Sequence, residues 1–221
     1  MSKNTSTQGM EPLEKVSFLY EKNKKVINAA LFAVLVAVGG YFGYKNFVVK
    51  PNEEKASIAM AYAEQLFQID SVNTALNGNG QNAGFLKIIK KYEGTPSANL
   101  AHYYAASCML KLGDYNGAIK HLKEFDPKGT VLGHAKAGLL GDAYMEIKDA
   151  KKAIEFYKEA TADQDDDVFT PLYLDRLAVA YIQNNQSEDA IKAYKKIRDD
   201  FPRSFQSRDV DRALAMLGVL E

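Results

Sequence analysis

Apolar positions along this chain fall into two patterns that together predict an all-α protein with one membrane-crossing helix. The first pattern is continuous: Val26 to Tyr44 (VINAALFAVLVAVGGYFGY) holds no charged residue over 19 positions. At about 1.5 Å per residue, such a helix nearly crosses a hydrocarbon core of about 30 Å. The second pattern is periodic. Ala56, Ala59, Met60, Ala63, Leu66, Phe67 and Ile69 recur at helical spacing and predict a helix over 53–75. Asn77 to Gly84 (NGNGQNAG) is a loop by composition. Phe85, Ile88, Ile89 and Tyr92 form a short amphipathic segment closed by Gly94, expected as the second helix of a divergent pair that begins with 53–75. Thr95-Pro96-Ser97 opens the next helix, with proline where a helix start tolerates it. Tight turns follow at Gly113-Asp114-Tyr115, Lys148-Asp149-Ala150 and Asn184-Asn185-Gln186. A last apolar run, Val210, Ala213, Leu214, Met216, Leu217 and Leu220, predicts a capping helix. Upstream, residues 1–10 read as a disordered tail and residues 11–25 as a short amphipathic helix, while Pro51 is expected to end the membrane helix or its immediate continuation.

The periodic region repeats itself. Leu140-Gly141-x-x-Tyr144, with Ala153, Tyr157 and Ala160, is matched by Leu177, Ala178, Tyr181, Ala190, Tyr194, Ile197 and Pro202. An earlier copy places Ala105, Ala106, Met109, Ala118, Leu122 and Phe125 at the same offsets. Ala118 to Ala153 is 35 residues, and Ala153 to Ala190 is 37. A period near 34 with small residues at fixed places resembles the tetratricopeptide repeat, a helix pair that stacks into a solenoid. The small residues Ala106, Gly141 and Ala178 on first helices, and Ala118, Ala153 and Ala190 on second helices, are expected where facing helices come close. Tyr144, Tyr157, Tyr181 and Tyr194 are expected to fill the space between neighbouring pairs. A capping helix fits this reading, because a terminal repeat would otherwise expose its stacking face. The expected organisation is a tail at 1–25, a transmembrane helix at 26–47 and a tetratricopeptide-type α-solenoid at 53–221.

The flanks of the apolar segment bear on location. Lys24 and Lys25 stand on one side and Lys45 and Lys50 on the other, with Tyr41, Phe42, Tyr44 and Phe47 gathered at the C-terminal end, where aromatic anchors meet a membrane interface. A cleavable signal would have a shorter apolar region nearer the N-terminus, leading to a small-residue cleavage site. Here 25 residues precede it, Glu11, Glu14 and Glu21 among them, and no good cleavage site follows, so an uncleaved anchor is expected. Lys15 and the cluster Lys22, Lys24 and Lys25 slightly outweigh Lys45, Lys50 and Lys55, which favours a cytoplasmic N-terminus and a repeat domain outside the cytoplasm.

Charge and reactive residues narrow the function classes. Net charge is zero, and residues 51–221 hold 21 basic and 25 acidic residues, a balance of −4. That leaves no basic footprint for nucleic acid. The single Cys108 excludes an intrachain disulfide and reads as a buried, inert thiol. His102, His121 and His134 look too few and too scattered for a catalytic or metal constellation. The acidic run Asp163, Asp165, Asp166 and Asp167 fails the calcium-loop pattern, since Val168 and Leu174 stand where that loop needs Gly and Glu. It reads better as an acidic loop leading into a helix N-terminus. Gly78, Gly80 and Gly84 do not follow a strand and form no dinucleotide fingerprint. With no nucleophile motif either, the expectation is a protein that is not an enzyme, with no metal, cofactor or small-molecule substrate.

What remains is the concave face of the solenoid. The repeat resemblance implies that five positions of each first helix face a groove. These are Leu100, Tyr103, Ser107, Leu110 and Lys111; Ala135, Gly138, Asp142, Met145 and Glu146; and Leu172, Asp175, Val179, Ile182 and Gln183. The capping helix or residues 53–75 could cover part of this set, Leu172, Val179 and Ile182 above all. The candidate partner-binding residues are Tyr103, Ser107, Leu110, Lys111, Asp142, Met145, Glu146, Asp175, Val179, Ile182 and Gln183. Lys111 is the one basic residue among the fifteen positions, so the basic clamp that some repeat proteins use to hold a carboxylate tail is not expected. A mixed surface with adaptable Met145 suits apolar or extended polypeptide.

The whole order, a basic flank, one membrane helix, a helix and then FLKIIKKYEGTPSANLAHYYAASCMLKLGDYNGAIKHL, resembles the YfgM-like family of single-pass, membrane-anchored tetratricopeptide proteins of bacterial envelopes. That resemblance implies an inner-membrane protein with a periplasmic repeat domain, partnered by SecYEG translocon subunits and a membrane-bound periplasmic chaperone. It would act as a non-enzymatic adaptor for newly translocated, unfolded clients. A structural scaffold for another envelope assembly is the alternative.

Overall fold

The computed structural model describes residues 12–128, 132–162 and 166–219. The tail expected at 1–10, Glu11, Asp163, Asp165 and Leu220 lie outside the described residues. The chain forms two compact units, Met1–Pro51 and Asn52–Glu221.

In the first unit, α1 (Pro12–Tyr44) joins the separate helix expected at 11–25 to the apolar segment. A wider helical turn with i→i+5 bonding, Lys45–Val49, follows it, and α2 (Lys50–Gln68) starts next. Pro51 therefore does not end the helix. Its ring would clash with a carbonyl in a regular i→i+4 ladder, but it sits at the second position of α2, where the wide turn has already broken that ladder. Val26, Leu31, Phe32, Leu35 and Val36 all stand exposed. Among the described residues, this is the one helix long and apolar enough to cross a membrane.

The second unit is an α-solenoid of helix pairs. After α2 come α3 (Val72–Asn77), α4 (Phe85–Lys91), α5 (Pro96–Leu112), α6 (Tyr115–Glu124), α7 (Leu132–Glu146), α8 (Ala150–Ala160), α9 (Phe169–Gln183), α10 (Ser187–Asp200) and α11 (Ser207–Met216). The pairs α5/α6, α7/α8 and α9/α10 turn in one way. Gly113, Lys148 and Asn185 take φ of 81°, 62° and 59°. The next residue of each turn donates back to the first helix: Asp114 to Met109, Asp149 to Tyr144 and Gln186 to Tyr181, each at 2.9 Å. This is the left-handed helix stop that satisfies the last carbonyls. Asp114 and Asp149 then cap α6 and α8, accepting from the amides of Gly117 and Lys152.

The helix expected at 53–75 is broken by the same turn. Asp70 takes φ of 58°, and the Ser71 amide donates to the Leu66 carbonyl at 2.9 Å. Counted from this turn, Ala63 falls where Ala106, Gly141 and Ala178 fall, and Ala75 where Ala118, Ala153 and Ala190 fall; both are fully buried. The divergent pair is thus α2 with α3, and the loop at 78–84 interrupts its second helix before α4. That loop closes tightly: a Cβ on Gly84 would lie 2.3 Å from the Gly78 amide nitrogen. Glu53 fixes α2 to the first regular pair, its carboxylate accepting from the Ser97 amide at 3.0 Å and the Ser97 hydroxyl at 2.7 Å. Thr95 caps α5 as its sequence position suggests, accepting from the Ala98 amide at 3.1 Å.

The expected packing residues form the core. A Cβ on Gly141 would come within 2.4 Å of the Tyr157 ring, and one on Gly138 within 2.0 Å of Tyr173, so both glycines are seats for aromatic rings. Tyr144, Tyr157, Tyr181 and Tyr194 are all buried. The capping helix is α11, with Val210 and Leu214 buried against the core, whereas Met216 points outward and is 83% exposed.

Candidate binding groove

Eight of the eleven candidate positions converge on one open cavity of about 700 Å³: Tyr103, Ser107, Leu110, Lys111, Asp142, Met145, Glu146 and Val179. Helical periodicity explains the convergence. The five-position pattern marks one face of α5, α7 and α9, and stacking places those faces side by side. Val179 is open, so the capping helix does not cover it. Ile182 is exposed as well but lies off the lining of this cavity, while Gln183 joins Met145, Glu146 and Lys148 at a second hollow beside it. Asp175 is half-buried away from the lining, next to the charge of Asp209 on α11, and desolvation pushes its carboxyl above the usual range. Among the wider set, Ala135 and Gly138 are buried rather than open. The Tyr173 ring of the next repeat occupies the space over Gly138.

The cavity also has residues outside the candidate set: Phe67, Tyr115, Leu139, Tyr157 and Arg176. Phe67 enters because the turn at Asp70 aims the end of α2 at the groove. Leu139 and Arg176 each stand one residue beside an assigned position, about 100° around the helix, and the groove is wide enough to include them. Arg176 adds a second cation to Lys111, and each already has a carboxylate partner within the chain. Arg176 pairs with Asp142, and Lys111 pairs with Asp70 at 2.7 Å while lying over the Phe67 ring. Tyr157 completes this arrangement by donating from its hydroxyl to Asp142 at 2.7 Å, and burial pushes that phenol well above its ordinary pKa. Glu146 is exposed, and its carboxylate near Tyr115 raises that phenol above its ordinary pKa. The lining is largely apolar and aromatic, with Lys111 and Arg176 each paired to a carboxylate and Glu146 exposed.

These geometries meet three matches to known repeat families. One tetratricopeptide repeat model matches residues 100–126 and 173–204, and a second such model matches 138–162. The chain carries tetratricopeptide repeats. The matched segments fall on α5/α6, α7/α8 and the α9/α10 pair, the three copies found in the sequence. A solved structure titled "Crystal structure of MamA protein" is similar, with 17% identity and a TM-score of 0.54, covering 94% of this chain and 98% of that one. At that identity the likeness shows the fold. No curated protein matches the chain. A tetratricopeptide domain is a protein-interaction module, and its first helices present the groove described above.

The reactive residues sort differently. Cys108 is buried and its thiol is pushed up to about 12 by desolvation, which Lys111 only partly offsets. In the acidic run, Asp166 accepts from the amides of Val168 and Phe169, both at 2.8 Å, at the start of α9, as an acidic helix entry should. The histidines are not all scattered. His102 on α5 and His121 on α6 meet with Nδ1 atoms 3.0 Å apart, and Glu124 Oε2 lies 3.6 Å from His102 Nδ1. Sequence spacing hid this cluster because its members are 19 residues apart and join only through the helix-pair fold.

Proposed function

We propose that this chain is a membrane-anchored, non-enzymatic adaptor whose tetratricopeptide groove binds polypeptide at the periplasmic face of a bacterial inner membrane, near the Sec translocon. The observation that supports this reading is the convergence of eight groove positions from three repeats, with Phe67, on one open cavity. Its apolar floor of Phe67, Tyr103, Leu110, Leu139, Met145 and Val179 suits an extended or helical segment with apolar side chains. The pairing of Arg176 with the part-buried Asp142 leaves the groove without the cluster of open cations that would hold a terminal carboxylate. The 33-residue α1, with its exposed apolar side chains, supports an anchor in which residues 26–47 cross the bilayer, and the lysine cluster Lys22, Lys24 and Lys25 favours a cytoplasmic 1–25.

The test is cross-linking of the full-length chain in its native membranes, followed by mass spectrometry, with Lys111→Glu and Glu146→Lys alongside. Capture of translocon subunits, a periplasmic chaperone or unfolded clients supports the adaptor. A single different envelope complex, with no translocon component, replaces it with a scaffold role. Both charge reversals fall on exposed ionic groups worth about 0–1 kcal/mol to the fold, so weakened capture by a folded variant locates the site in the groove. Undiminished capture by both variants removes the groove from the reading.

A further inference from the structure

Away from the groove, the first regular repeat brings together three groups that bind metals. We propose that His102, His121 and Glu124 hold one divalent transition-metal ion of the zinc class, clipping α5 to α6. The two Nδ1 atoms are 3.0 Å apart, and His102 Nδ1 is 3.6 Å from Glu124 Oε2. One ligand atom from each of the three groups lies within 4.8 Å of the others. A tetrahedral ion with bonds of about 2.0–2.1 Å spaces its ligand atoms about 3.3–3.4 Å apart, and the two measured distances bracket that value.

The donor set fixes the class of metal. Two imidazoles and one carboxylate suit zinc and its neighbours, whereas calcium and magnesium need mostly oxygen ligands. The fold supplies the arrangement. His121 and Glu124 are three residues apart on α6 and share one helix face. His102 comes from the facing helix, whose position is set by the turn at Gly113. The His102 side chain is 14% exposed and Glu124 is 52% exposed, so the site has a shielded floor and an open entry. Three protein ligands leave the fourth position to water. Two ammonium groups oppose a cation here: Lys120 beside His121, which faces solvent, and Lys128 in the cavity wall, where Asp126 and Glu93 offset it. The cavity at this site, with Thr95, Asn99 and Asp126 in its wall, shares no lining residue with the groove, so an ion here leaves partner binding sterically free.

The experiment is a zinc titration of the tag-free full-length chain in detergent micelles with a competing chelator, and a parallel cobalt titration read by visible absorption. The expected result is saturable binding of one zinc per chain, and cobalt bands of a tetrahedral site. His121→Gln should abolish binding and Glu124→Gln should weaken it at least about tenfold. His134→Gln should bind like the parent. Circular dichroism reports folding, and the half-exposed Glu124 gives a variant that keeps its fold even if a histidine change does not. Absence of saturable binding by the parent chain overturns the proposal and leaves the two histidines as a hydrogen-bonded pair. Parent-strength binding by both Glu124→Gln and His121→Gln overturns it too.

Discussion

The Tyr157 hydroxyl donates a 2.7 Å hydrogen bond to the Asp142 carboxylate, which joins the packing of one repeat to the face that lines the cavity. Tyr157 comes from α8, lies on Gly141 of α7 and reaches through to the groove lining. Asp142 is therefore no free anion awaiting a partner; Tyr157 and Arg176 both hold it. Tyr157→Phe keeps the ring on Gly141 and removes only this bond. The expected cost is about 1–2 kcal/mol in urea unfolding, with groove affinity changed through a looser Asp142. A stability equal to that of the parent would mean the bond contributes nothing net.

Gly141→Leu should destabilise more. The glycine lets the Tyr157 ring sit against the α7 backbone, and even a Cβ would meet that ring at 2.4 Å. In an open helix, replacing glycine gains stability, so the sign here separates packing from propensity. The expected loss is roughly 1–3 kcal/mol or more. A thermal melt that shows a higher Tm for the variant would contradict the close approach.

Asp175 should oppose folding at neutral pH. Its carboxyl is raised above the ordinary 3.8, first by desolvation, with Asp209 adding to it and Arg176 opposing. The folded chain thus holds that proton more tightly than the unfolded chain. Its contribution to stability is complete below 3.8 and is lost as pH rises through the raised folded value. Asp175→Asn should raise Tm at pH 7, with the difference shrinking as the pH approaches 3. A difference that stays constant across that range would point to packing instead of charge.

Cys108 should resist alkylation until the domain opens. A thiol pushed up to about 12 carries roughly a thousandfold less thiolate at neutral pH than a free cysteine. Maleimide labelling should track unfolding in urea, and fast labelling of the native chain would contradict the burial.

Much of this fold was legible because its periods are strong. The small residues at Ala106, Gly141 and Ala178 and at Ala118, Ala153 and Ala190 marked both helices of three pairs, and the turns between them lie at the expected residues. The first pair was harder. Ala63 and Ala75 keep their offsets from the turn, but Asp70 stands where Gly113 gives a plain signal, and the inserted loop pushes α4 out of period. Pro51 misled for a related reason: a proline stops a regular ladder, and a wide turn before it removes the conflict.

Sequence alone determined the helix faces, because a side chain's direction on a helix follows from its position in the 3.6-residue period. It therefore picked out eight residues that line one cavity, and the apolar span of α1. Only the tertiary structure decided which charges meet. Arg176 turns to Asp142, Lys111 to Asp70, and His102 to His121, and each contact joins residues of different helices, 19 or more positions apart. Such pairings depend on how far one helix is rotated and shifted against the next, a quantity set by packing and not by any local pattern.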